Sequence, residues 1–436
     1  MTTATEPTPA ENDSGRHCTA AVAGASTRPG TARTTTAPSV ACRVPEDAHS
    51  VSDEPPGKLV DRLALRADSP AECIAAAPAL LGFMPRRSIV VYLLNEAPRR
   101  PGEVVLGAVA RHDLDVSDRA EWPRLFEHLA AFCVRQHAVA VLALIIDDRA
   151  GVPTAGRAGT RSRRHRELVA ALGSALAAEE ITLDEVWGMC EIGAGAAWWD
   201  VREPASTGVQ NDPAASPLAL AEALDGHPIR SSRADLAALV AIDAAQCQEV
   251  SGELEMAAAV AGHRFRAAVF LDEVHRYQLV SLCQVLDRVD GIADGGDLAA
   301  RDLADTAVAL RDPTVRDALF ALAGGDRADA AERLWADLCR TLIGPDRAEA
   351  ATLLGYSAYT RGDGSLAGIA LHAALESNPD HTIARLLDTA LGVGMHPQEI
   401  RKLACSGRAK AAGLGVELDL HPEWPLTQGL RPRDPR

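Results

Sequence analysis

Four short stretches of this 436-residue chain carry side chains that could do chemistry. Arg86, Arg87 and Ser88 set two guanidiniums beside a hydroxyl. Such a set can hold a phosphate or carboxylate through charge-assisted hydrogen bonds. Arg111, His112 and Asp113 form the second stretch, and Asp147 and Asp148 the third. Each follows an apolar run that reads as a strand, and ligands of open α/β sheets gather at the carboxyl ends of strands. Carboxylates meeting there would hold magnesium and suit phosphoryl chemistry. The fourth stretch is Trp198, Trp199 and Asp200. Alternation along a strand puts the two indoles on opposite faces. One then serves the core, and the other can be a stacking platform for a base, a sugar or a partner.

Each stretch also has a plainer reading. Arg and Asp end strands, cap the next helix or pair with each other. Anion sites more often use a helix N-terminus, which leaves Arg86 to Ser88 as a solvated loop. The tryptophans can serve core and interface packing alone. A hairpin before Arg111 would also make its strand antiparallel to its neighbour, which could set its end on the opposite sheet edge from Asp147.

Other chemistries are absent from the sequence. His263, Glu273 and His275 lie on helical segments, with no His-Glu-x-x-His and no ligand pair at i, i+4, so no metal site is expected. There is no P-loop, no Gly-x-Gly-x-x-Gly and no Gly-x-Ser-x-Gly elbow. The nine cysteines form no CxxC, which reads as buried, reduced thiols in a cytoplasmic protein. A net charge of −16 opposes nucleic acid and anionic membranes at long range. The densest basic runs, RAGTRSRRHRE from Arg157 and HPQEIRKLACSGRAK from His396, read as solvated faces. Lysine occurs only at Lys58, Lys402 and Lys410, so arginine carries nearly all the positive charge. No secretory h-region opens the chain. The apolar run AVAVLALII is about half of a membrane span.

The elements that must position these residues are legible from pattern. Residues 1–57 are poor in large apolar side chains and read as a disordered tail, followed by a short strand at LVDRLAL. Ser69, Pro70 and Glu72 mark a helix start. SIVVYLLN and EVVLGAVARHDL read as strands of a hairpin. AEWPRLFEHLAAFCVRQH has helical periodicity, with Trp122, Leu125, Leu129, Phe132 and Cys133 on one face. AVAVLALIIDD is a buried strand and RHRELVAALGSALAAEE a helix. LDEVWGMCEIG and AAWWDV form a second hairpin. The order predicts an α/β domain over 58–203, a mixed sheet with helices against it. Residues 204–216 read as a linker, 217–410 as an all-helical domain, and 411–436 as a mostly irregular tail.

Within the helical part, residues 350–379 have the spacing of a tetratricopeptide-like hairpin. Leu354 and Gly355, the small residues Ala367 and Ala374, and Pro379 stand at its key positions. Gly362, Asp363 and Gly364 read as its turn.

PALLGFMPRRS, ARHDL, AWWD and YSAYTRGDGSLAGIALHAALESNPDHTIARLL, in that order, resemble a family found mainly in actinobacteria, the family of domain of unknown function 4192. The resemblance covers about Leu59 to Ala404. It implies an intracellular bacterial protein and brings no activity with it. The residues themselves favour a cytoplasmic binding or regulatory module that meets a protein partner through a helical-repeat-like surface. The alternative is an enzyme acting on a phosphate-bearing small molecule at the sheet edge, with Mg2+ as its cofactor. That alternative requires Arg111, Asp113, Asp147 and Asp148 to converge in one cleft.

Overall fold

The structure, a computed structural model, describes residues 69–421 except 97–102, 116–118, 155–156 and 225, together with segments 19–22 and 27–29. The rest of the expected tail 1–57, the strand expected at LVDRLAL and everything after His421 lie outside the described residues.

β1 (Thr19–Val22) and β2 (Thr27–Pro29) come first. Helix α1 (Pro70–Leu81) starts where the Ser69 hydroxyl accepts the Glu72 N–H, with proline in its first turn. It ends at Gly82, whose φ of 74° only glycine adopts freely. Then come β3 (Ser88–Glu96), β4 (Glu103–Asp113), α2 (Trp122–Arg135), β5 (Ala138–Ile146), α3 (Ser162–Ala178), β6 (Thr182–Met189), β7 (Ala197–Asp200) and β8 (Thr207–Val209).

The sheet runs β4-β3-β5-β6-β7-β8, with β1 and β2 pairing antiparallel to the outer edge of β4. Among the described strands only β5 and β6 pair parallel, joined through α3. The sheet is therefore mixed, as the alternating pattern predicts. Its central strands are apolar on both sides because both faces are covered. Ile89, Val91, Leu93, Val141 and Ile145 pack with α2 and α3. Val90, Tyr92, Leu94, Leu142 and Leu144 face α1 and the helical part. Burying each such side chain contributes about 1.5–3 kcal/mol.

Helices follow to the end of the described chain: α4 (Pro217–Leu224), α5 (Arg233–Ala237), α6 (Ala244–Phe270), α7 (Val274–Ala293), α8 (Ala300–Leu310), α9 (Pro313–Leu319) and α10 (Ala328–Thr341). After these come α11 (Gly344–Arg361), α12 (Gly364–Ser377), α13 (Thr382–Gly392), α14 (Pro397–Ile400) and α15 (Lys402–Gly413). No helix among the described residues is long and apolar enough to cross a membrane.

Two expected boundaries differ. Residues 204–216 supply β8, which pairs with β7, and a 3-10 turn whose Pro213 is buried. Past residue 411, Leu414 and Leu418 are buried, and the His421 N–H bonds to the Gly324 carbonyl at 2.7 Å. The sheet's inner face and the helical region share one core, which runs from Val90 and Tyr92 through Ile74 to Trp335 and Tyr356. Short turn-like segments hide their tertiary role because their contacts are not local.

The hairpin at residues 350–379 exists as α11 and α12. Gly355 admits a close approach, since a Cβ there would lie 2.8 Å from Leu371 Cγ. From Arg347 to Thr360 every residue of α11 except Glu349 is buried. The hairpin is therefore the centre of the helical core, and it does not offer the open repeat-like face expected of it. The PALLGFMPRRS joint meets its turn. A Cβ on Gly82 would sit 3.6 Å from Asp363 Oδ2. Phe83 is buried, and the joint is held by Met84 N–H to Arg230 O (2.8 Å) and Arg230 N–H to Gly82 O (2.9 Å).

Candidate functional site

Strand order decides where the candidate residues fall. β3 lies between β4 and β5 and is antiparallel to both. Two reversals restore direction, so β4 and β5 end on the same edge. Ser88 is in register with Asp113 on one side and Ile146 on the other. The expectation that the Arg111 strand ends opposite Asp147 is thereby corrected, because β3 is inserted between the two. β6 ends there too, since Met189 pairs with Ile146. Trp198 pairs with Met189, and β8 ends beside Ala197. Arg87, Ser88, Arg111, Asp113, Asp147, Asp148 and Trp198 thus share one edge.

The charged side chains there are occupied by one another. Arg87, in a left-handed conformation with φ 44°, forks onto Asp148 at 2.8 and 3.1 Å. It also lies 3.7 Å from Asp115. Arg111 is buried, donates to Ser88 Oγ at 2.8 Å and grips both oxygens of Asp113. Ser88 in turn donates to the Arg86 carbonyl at 2.6 Å, while the Arg86 side chain is exposed. The Arg111 guanidinium also lies 5.8 Å from the centre of the Phe83 ring.

Asp147 is the hub, with its side chain 1% exposed. It accepts from Arg149 Nε at 2.7 Å and Arg149 N at 3.2 Å. His165 Nε2 stands 3.2 Å away and Arg161 Nε 3.6 Å. Burial pushes this carboxyl up, but the bonds from Arg149 and His165 outweigh it and hold Asp147 below the usual carboxylate range. Burial lowers His165 against the pull of Asp147, so the imidazole is biased toward neutral. Arg149 also reaches Asp115. Cys190 donates to the Ala150 carbonyl at 3.3 Å. Burial first, then the charges of Glu191, Asp147 and Asp148, raise its thiol, the opposite of an activated nucleophile.

This arrangement does not make a magnesium cage. Asp113, Asp115, Asp147 and Asp148 are each engaged by a guanidinium, and no group of three His, Cys, Asp or Glu among the described residues could hold a metal. The residues share one sheet edge, but their charges are spent on each other and this geometry gives the enzyme alternative no support. The tryptophans divide as strand alternation predicts. Trp199 is buried against Gly188. Trp198 is half-buried with its indole on the backbone of Gly208 in β8, so that face is covered and is no open platform. Trp198 Nε1 and Gln210 Nε2 are buried donors without an acceptor among the described residues.

Asp115, Arg149, Arg161, His165 and Gln210 are the members that sequence reasoning missed. Arg161 and His165 sit in the basic run read as a solvated face. Arg149 follows the Asp pair directly, the one local hint that the pair is neutralised.

The fold and this edge define an α/β sheet protein with a helical region fused onto its inner face and a self-paired ion network at the strand ends. Residues 70–398 match the family described as a domain of unknown function, DUF4192, and the chain belongs to that family. Neither a curated protein nor a solved structure matches it.

Proposed function

We propose that the protein is a binding module whose docking surface is the hairpin of α6 and α7. One observation carries this reading. At the tip, Val269, Phe270 and Leu271 are 54%, 89% and 61% exposed. Contiguous exposed apolar groups mark interaction sites more often than chance placement does. α6 has 27 residues, yet past Ala257 it buries only Ala268. Phe265 packs edge-on to Tyr277 at 5.4 Å, which fixes the two helices to each other near the tip. The helical surface that supports a partner is thus this hairpin, and the α11–α12 hairpin is spent on the core. The sheet-edge network supports a second half of the reading, a latch that fixes β3, β4, β5 and α3 in one body.

The test is quantitative affinity capture with the full chain and its F270S/L271S variant from the same extract. Loss of specific partners at unchanged melting temperature is the expected result. Identical partner sets with both chains would sink the reading.

A further inference from the structure

The exposed face of α6 has a charge order that specifies its occupant. Met256, Val260, Ala267 and Phe270 lie along one exposed side of α6, bordering the buried Ala257, and the exposed Glu249 and His263 share that side with them. Ala259 lies beside them, so the stripe is low enough for another helix to approach closely. Charges flank it on both sides. Glu253 and Arg264 stand eleven residues apart, about three turns, and therefore on one flank. Glu255 and Arg266 repeat that spacing on the other flank. None of the four makes an ion pair with another group among the described residues.

We infer that α6 docks on α6 of a second copy of this chain, antiparallel, about a two-fold axis near Ala259 and Val260. A two-fold contact is isologous, so each flank must complement itself. Antiparallel pairing places Glu253 against the partner copy's basic half at Arg264, and Glu255 against the half at Arg266. A parallel pairing would set one flank against the other, Glu253 against the partner copy's Glu255 and Arg264 against its Arg266, which is repulsive on both flanks. The four unpaired charges thus select both the partner and its direction, in the way flanking charges set orientation in coiled coils. The stripe supplies the apolar contact, and the tip residues extend it at each end. The overlapping helix from Glu249 to Phe270 is about 30 Å long.

This inference rests on the reading of α6–α7 as a docking surface, and the experiment separates the two. Sedimentation of the full chain is expected to show a dimer that weakens as salt rises. E253R/E255R and R264E/R266E, each alone, should weaken self-association roughly tenfold or more. Mixing the two variants should restore a dimer of one copy of each, because the flanks of one α6 are then basic and those of the other acidic. Far-ultraviolet circular dichroism confirms that each variant is folded. A wild-type chain that stays monomeric, or a dimer indifferent to both reversals, overturns the self-pairing. If partner capture still depends on Phe270 and Leu271 in that case, the docking reading survives without it.

Discussion

The sheet edge and the α6 face are both rich in charge, yet they differ in what the charges meet. At the edge, Asp147 is buried among Arg149, Arg161 and His165, and Arg87 and Arg111 each hold a carboxylate. On α6, Glu253, Glu255, Arg264 and Arg266 flank exposed apolar groups without ion pairs among the described residues. Charges that satisfy each other stabilise one conformation and leave little for a ligand. Charges left in water beside apolar surface cost nothing until a complementary surface arrives. Residue type alone does not separate these cases, since both regions carry carboxylates and guanidiniums close together in the sequence.

The contrast can be tested by its stability consequences. The largest effect is expected at Asp147. Asp147→Asn leaves the Arg149 and Arg161 guanidiniums facing a neutral amide and should cost about 3 kcal/mol by urea denaturation. A change near zero would mean that the hub is not a latch.

Next comes the pH dependence of the same cluster. The folded value of His165 is lowered, so the unfolded chain binds a proton first as pH falls below about 6.5. Stability therefore declines in that window, and His112, His227 and His396, also lowered by burial, act in the same direction. Asp147, whose folded value is depressed, adds stability that is present above its unfolded value and lost as pH falls through the folded one. Melting temperature should drop between pH 7 and 5, and His165→Gln should make the slope shallower. An unchanged slope would remove His165 from the linkage.

A smaller effect is expected at the solvent side of the edge. Arg87 and Asp148 are 47% and 51% exposed, and such pairs contribute little in water. Arg87→Ala should shift the denaturation midpoint far less than Asp147→Asn does. An equal shift would show that the network acts as one unit.

The smallest stability effect belongs to the α6–α7 tip. Phe270→Ser and Leu271→Ser remove groups the fold does not bury, so the melting temperature of the monomer should stay the same while binding is lost. Destabilisation there would place the tip within the fold.

Much of this molecule is written locally. Ser69, Pro70 and Gly82 bound α1 as their cap and turn chemistry requires, and the β-branched runs at Ser88 and Ala138 become the buried strands β3 and β5. The spacing of Leu354, Gly355 and Ala367 foretells a close helical hairpin. The candidate residues at the ends of β4 and β5 were also visible, because strand ends are where chain direction and residue type change together.

What local pattern does not carry is which strand lies next to which. Placing β3 between β4 and β5 brought Asp113 and Asp147 to one edge, and strand order is set by contacts far apart in sequence. The burial of Asp147, and its engagement by Arg149, Arg161 and His165, follows from how α3 packs on the sheet. The same holds for the helical region: periodicity made both α11 and α6 helices, but only packing decided that α11 is enclosed and α6 exposed. Sequence determined the elements and their polar ends, because capping and periodicity act over a few residues. Tertiary structure decided which charges are neutralised and which apolar faces stay open, because both depend on what the rest of the chain places beside them.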